Sequence, residues 1–126
     1  MIAAAYALVV VQVLVALFQL ALVLGAPMGE YTMGGQNAGT LPVRLRFVAA
    51  LSMLLNLAIG GHYLAQTGAV ATLLTTDLNQ IANWGLVAFT GVGLILNSIS
   101  RSKKERQLWV PVLLLAVACA VIVALG

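Results

Sequence analysis

The sequence predicts an all-α membrane protein: a bundle of four transmembrane helices with a long, glycine-rich first cytoplasmic loop. Three observations lead there. The chain is 63% hydrophobic and 7% charged, with a mean hydropathy of +1.10, so it cannot cover a core with a polar surface. Four apolar runs, each long enough to cross a hydrocarbon layer of roughly 30 Å, consume most of its 126 residues and make it a single integral membrane domain. All six basic residues, Arg44, Arg46, Arg101, Lys103, Lys104 and Arg106, lie in or beside the first and third gaps between those runs. Basic flanks are retained on the cytoplasmic side during insertion. Both termini are therefore expected outside the cytoplasm, in a bacterial-type inner (plasma) membrane.

The first run, residues 1–24, has no basic residue before it and exceeds the roughly 7 to 15 apolar residues of a secretory signal, so it is expected to remain as a helix. The second is expected over 43–66, where Thr67 and Gly68 end it. The third is expected over 81–99 and the fourth over 107–125. Ser102 followed by Glu105 has the capping-box pattern, which would start the fourth helix inside the basic loop and put a bend at Pro111. Alternatively, that helix begins near Val110 and Pro111 occupies its first turn. Tyr6, Tyr63 and Trp84 are expected at the outer interface, and Tyr31 and Trp109 at the inner one, where amphipathic rings anchor.

The few polar residues within the spans recur at helical spacing. Gln12 and Gln19 share one face of the first helix; Ser52, Asn56, Gly60 and Tyr63 form a stripe on the second. Asn83, Thr90 and Asn97 recur every seven residues on the third, with Gly93 on the same face. Ala116, Ala120 and Ala124 form a small-residue ridge on the fourth and a candidate helix interface. Amides facing acyl chains are costly, so the stripes are expected to meet inside the bundle. There Gln12, Gln19, Ser52, Asn56, Thr90 and Asn97 are either interhelical glue, worth roughly 0.6 to 2 kcal/mol per contact, or the lining of a polar cleft.

The first loop, residues 25–42, holds about eighteen residues where helix connections usually take about 2 to 8. Met28, Tyr31, Met33 and Leu41 make it too apolar for a solvated linker. It is expected to fold back on the cytoplasmic mouth of the bundle, its glycines supplying the turns. Glu30, its one acid, is expected to pair with Arg44 or Arg46, or else to act as a charged gate.

Other chemistry finds little support. His62 lies about 120° from the second helix's polar stripe, and it is expected to reach water or a neighbouring chain. As a lone histidine without metal-ligand companions, it supports no metal site, and no cofactor is expected. Cys119 is single, which excludes an internal disulfide. No phosphate-binding glycine loop, paired carboxylates or nucleophile–base set is legible, so no motif supports catalysis, and an enzyme acting on lipid at the cytoplasmic face through Glu30 is only a third, lesser reading. Basic residues at helix ends suit lipid headgroups and topology, and no nucleic-acid partner is expected.

The run from Gly25 through Ala26, Pro27, Met28, Gly29, Glu30, Tyr31, Thr32 and Met33 to Gly34 and Gly35 carries a resemblance, together with Leu41-Pro42, Leu45-Arg46, Asn97, Ser100-Arg101-Ser102, Glu105-Arg106 and Trp109-Val110-Pro111. Over nearly its whole length the chain resembles a family of small, functionally uncharacterised bacterial integral membrane proteins. The resemblance implies a four-helix membrane protein and no particular activity. Two functions are expected. One is an accessory subunit that packs against other membrane chains or self-associates within the bilayer. The other is a small carrier or binder of a lipophilic ligand that uses the amide-lined interior. Gln12 and Gln19 stand in the first span where proton-coupled exchange would want a carboxylate.

Overall fold

The computed structural model describes residues 1–126. It contains four α-helices and no strand: α1 (Ile2–Val23), α2 (Val43–Gln66), α3 (Thr76–Ser98) and α4 (Lys103–Leu125). At 1.5 Å per residue each helix is roughly 33 to 36 Å long, and all four are long and apolar enough to cross a membrane. The protein is a multi-pass, four-helix membrane protein. One end of the bundle carries the α1–α2 and α3–α4 loops with all the basic residues, here the basic end. The other carries both termini and the α2–α3 loop.

Local chemistry explains the helix ends. Gly25 takes φ +95°, a left-handed conformation that suits glycine. With it, the Gly25 and Ala26 N–H groups donate back to the Leu22 and Ala21 carbonyls, at 3.1 and 2.9 Å, closing α1 with a Schellman motif. The third helix starts five residues earlier than the apolar run suggests, at Thr76 rather than Ile81. Thr75 Oγ1 caps it by accepting from the Leu78 N–H, and Asp77 favours the positive end of the helix dipole. The cap, rather than hydropathy, sets this boundary. The fourth helix likewise starts at Lys103, capped by Ser102, and runs on through Pro111, which removes the alternative start near Val110. Only half of the capping box forms. Ser102 Oγ accepts from the Glu105 N–H, but the Ser102 N–H donates to Ser100 Oγ, which itself donates to the Glu105 carboxylate.

Two hairpins, α1–α2 and α3–α4, are joined by packing between α1 and α4. The main core lies toward the terminal end, where Ala5 and Leu8 of α1 meet Ile59 and Tyr63 of α2 and Ala116 and Ala120 of α4. Small side chains let these helices approach closely. Ala116, Ala120 and Ala124 are thus buried inside this one chain, so the ridge is an internal interface rather than a surface awaiting another chain. Tyr63 also departs from expectation: it is 1% exposed in the core and does not anchor at the outer interface, whereas Tyr6 and Trp84 are exposed.

The side between α2 and α3 is built differently. These helices are tied near the terminal end by a polar clamp. Gln66 and Asn79 exchange two amide hydrogen bonds of 2.8 Å, and Asn83 Nδ2 donates to Gln66 Oε1 at 3.3 Å. His62 Nε2 donates to Asn83 Oδ1 at 2.7 Å, so His62 is held within the chain rather than turned to water or a neighbour. Asn83, 3% exposed, is the one buried residue of α3 and the centre of the clamp. Asn83→Leu strands His62 and Gln66 without their shared partner. It is expected to cost about 1 to 3 kcal/mol in thermal unfolding and to speed amide exchange at the start of α3. Unchanged stability and exchange would show that the clamp does not hold α2 to α3.

Candidate functional site

Below the clamp, the heptad stripe of α3 faces two further compartments. Thr90 joins Gln12 and Asn56 in the wall of a chamber of about 260 Å³ to which all four helices contribute, with Val11, Val15, Phe89, Leu96 and Leu113 among its apolar lining. Beside the chamber Gly60 packs α2 closely on α1, since a Cβ there would lie 3.4 Å from the Gln12 Cβ. Asn97 joins Gln19 in a second pocket of about 190 Å³ at the basic end, lined also by Phe18, Tyr31, Thr32, Glu105 and Trp109. Val15 and Leu113 line both spaces, so chamber and pocket adjoin as one groove along α1 and α4.

The structure therefore gathers five of the six polar span residues singled out from spacing into this groove. Ser52 is the exception, half-buried on α2 outside both spaces. The hydrogen bonds between side chains of different helices lie in the clamp between α2 and α3, while Gln80 Nε2 ties α3 to the Ala124 carbonyl of α4 at 2.8 Å. Gln12, Gln19, Asn56 and Thr90 take no part in them. Asn97 bonds only to the Gly93 carbonyl of its own helix, at 2.8 Å. The Gln12 Oε1 atom is buried with no hydrogen-bond partner. The glue of this bundle is thus largely distinct from its amide-lined interior.

The first loop closes the basic end of the groove. Trp109 Nε1 donates to the Tyr31 carbonyl at 2.7 Å, Ser102 Oγ donates to the Glu30 carbonyl, and Met28, Met33 and Leu41 pack with Leu22 and Ala49. Glu30 does not pair with Arg44 or Arg46. Its carboxylate meets Lys104 at 2.6 Å in an exposed ion pair, the kind that contributes little to stability. Arg46 instead forks onto the Val23 carbonyl at 2.9 and 2.7 Å, setting a cation on the negative end of the α1 dipole, while Arg44 stays exposed. The loop thus holds Tyr31 and Thr32 at the mouth without using its acid as a tie to the arginines.

Glu105 was not among the expected site residues. Its sequence context reads as a capping acid in a basic loop, yet it is 8% exposed and lines the basic-end pocket. The available signal was its position four residues before Trp109, which puts both on one face of α4. No group of three or more His, Cys, Asp or Glu side chains converges to hold a metal ion. No family model, curated protein or solved structure matches the chain.

Proposed function

We propose that this chain is a multi-pass protein of a bacterial inner membrane that binds or carries a lipophilic molecule in its amide-lined interior. One observation carries the reading: Gln12, in the wall of a largely apolar chamber of about 260 Å³, has a buried carbonyl oxygen without a partner. An unsatisfied buried amide is costly, and a ligand donor entering the chamber would satisfy it. Small-molecule sites combine this kind of apolar lining with a few polar groups that fix orientation. Lateral entry from lipid is supported by the chamber's α3 wall, where Phe89, Val92 and Leu96 are exposed at the surface of the bundle. The basic residues orient the basic end to the cytoplasm and both termini outside.

Gly93 offers the test. Gly93 lines the chamber and a Cβ there meets nothing within 4 Å, so Gly93→Leu adds its side chain at the chamber wall. Losing a helical glycine also tends to favour the helix, by up to about 1 kcal/mol. In native mass spectrometry of protein extracted from its own membrane in mild detergent, the wild type is expected to retain a small molecule. Gly93→Leu is expected to lower that retention by roughly tenfold or more, with thermal stability kept. Equal retention in both proteins would overturn the chamber as the site.

The second reading, an accessory subunit of a membrane assembly, is supported by α3, which leaves Ile81, Phe89, Val92, Ile95 and Leu96 exposed. A partner chain of fixed stoichiometry in the same spectra would favour it. The alanine ridge, being internal, no longer supports it.

A further inference from the structure

We infer that the basic-end pocket receives the ammonium group of a lipophilic amine whose apolar tail lies in the adjoining chamber. The inference rests on the chamber reading and adds to it the chemical class of the ligand. Its centre is Glu105, 8% exposed at the pocket wall. The Ser100 hydroxyl donates to Glu105 Oε2 at 2.8 Å, and no donor of the chain reaches Oε1. Glu105 lies in the first turn of α4, at the favourable end of the helix dipole, but forms no ion pair within the chain. Lys104 is engaged by Glu30, and the Arg106 guanidinium donates to the Ser100 carbonyl. Buried carboxylates are ordinarily paired or fully hydrogen-bonded, because burial of an isolated charge is expensive. The Glu105 Oε1 atom has no partner in the chain yet is not sealed from solvent, so a cation entering the pocket would complete the pairing.

The remaining lining suits an ammonium head. Trp109 and Phe18 stand edge to face at 4.9 Å and both border the pocket, giving aromatic rings for the head, while the Tyr31 ring already faces Lys104 Nζ at 5.8 Å. Gln19 and Asn97 add neutral amides, which accept N–H donors without adding charge. On α1, Gln12 lies seven residues from Gln19, about 10 Å along the axis. A single alkyl chain leading from the head could therefore extend along Val15 and Leu113 into the chamber.

The experiment places the protein in zwitterionic lipid discs and follows Trp109 fluorescence in a Trp84→Phe background, Trp84 being on α3 outside the groove. Three probes of equal chain length are compared per mole fraction in the lipid: decylamine, protonated at pH 7, decanol and decyl sulfate. Decylammonium is expected to saturate the signal about tenfold more tightly than decanol, and decyl sulfate not at all. Glu105→Gln keeps an acceptor for Ser100 and is expected to bring the amine and the alcohol within about twofold, with alcohol binding retained. Saturable decanol binding with no preference for the amine in the wild type would overturn the ammonium assignment and leave the chamber standing. So would a preference that survives Glu105→Gln. If no probe gives a saturable response, both fail. The wild-type comparison decides the matter even if Glu105→Gln does not accumulate.

Discussion

Gly29→Ala is expected to release the first loop from the basic end and to destabilise the protein by at least about 1 to 3 kcal/mol. A Cβ at Gly29 would sit 1.7 Å from the Asn37 carbonyl oxygen and 2.7 Å from that of Gly39. Both are backbone atoms, so no side-chain rotation relieves the clash. The loop cannot simply widen, because the Gly29 N–H donates to the Gly39 carbonyl at 2.8 Å and closes the segment on itself. Displacing Gly29 moves Glu30 and Tyr31, whose carbonyls accept from Ser102 and Trp109. The pocket mouth should then open. Faster proteolysis between α1 and α2, with a red-shifted Trp109 emission, would register the change. Gly39→Ala is the control: a Cβ there meets nothing within 4 Å, and at φ +79° its cost is the backbone term alone, about 1 kcal/mol. Equal effects of the two substitutions would contradict the close approach at Gly29.

Ala120→Leu is the second large effect. Ala120 is 1% exposed where α4 packs with α1, and the added atoms have to push the helices apart or force side chains off their rotamers. Overpacking of this kind costs about 1 to 3 kcal/mol, occasionally more. Thermal stability is expected to fall by that amount with the oligomeric state unchanged. A ridge that served association between chains would give the reverse, with assembly lost in sedimentation and each chain as stable as before. The two outcomes separate an internal interface from an external one.

The stripes on α1 and α3 were legible because their spacing fixes a common face. Gln12, Gln19, Thr90 and Asn97 accordingly all reach the groove, as does Asn56 from the α2 stripe. Spacing alone did not distinguish Ser52, four residues before Asn56 on the same stripe, which lies outside both spaces. Nor did it separate the glue from the lining. Gln66 and Asn79 lie outside the spans drawn from hydropathy or at their limit, yet they form the clamp with Asn83. The early start of α3 had a local signal in Thr75 and Asp77, outweighed by the polarity of its first turn.

What the sequence determined by itself was the number of spans, their approximate limits, the gathering of basic residues at one end and the inward sense of the amide stripes. Each of these is a property of one segment and its solvent: an apolar run transfers into lipid, and a polar side chain avoids acyl chains, whatever the other helices do. Partner choice was decided only by the tertiary structure. Glu30 met Lys104 instead of an arginine, His62 met Asn83, the alanine ridge was consumed by its own chain, and Glu105 came to line a pocket. Those outcomes depend on how four helices are rotated and offset against one another. Successive residues are turned by about 100° around a helix, so a small change in that setting brings different side chains into contact, and no segment specifies it alone.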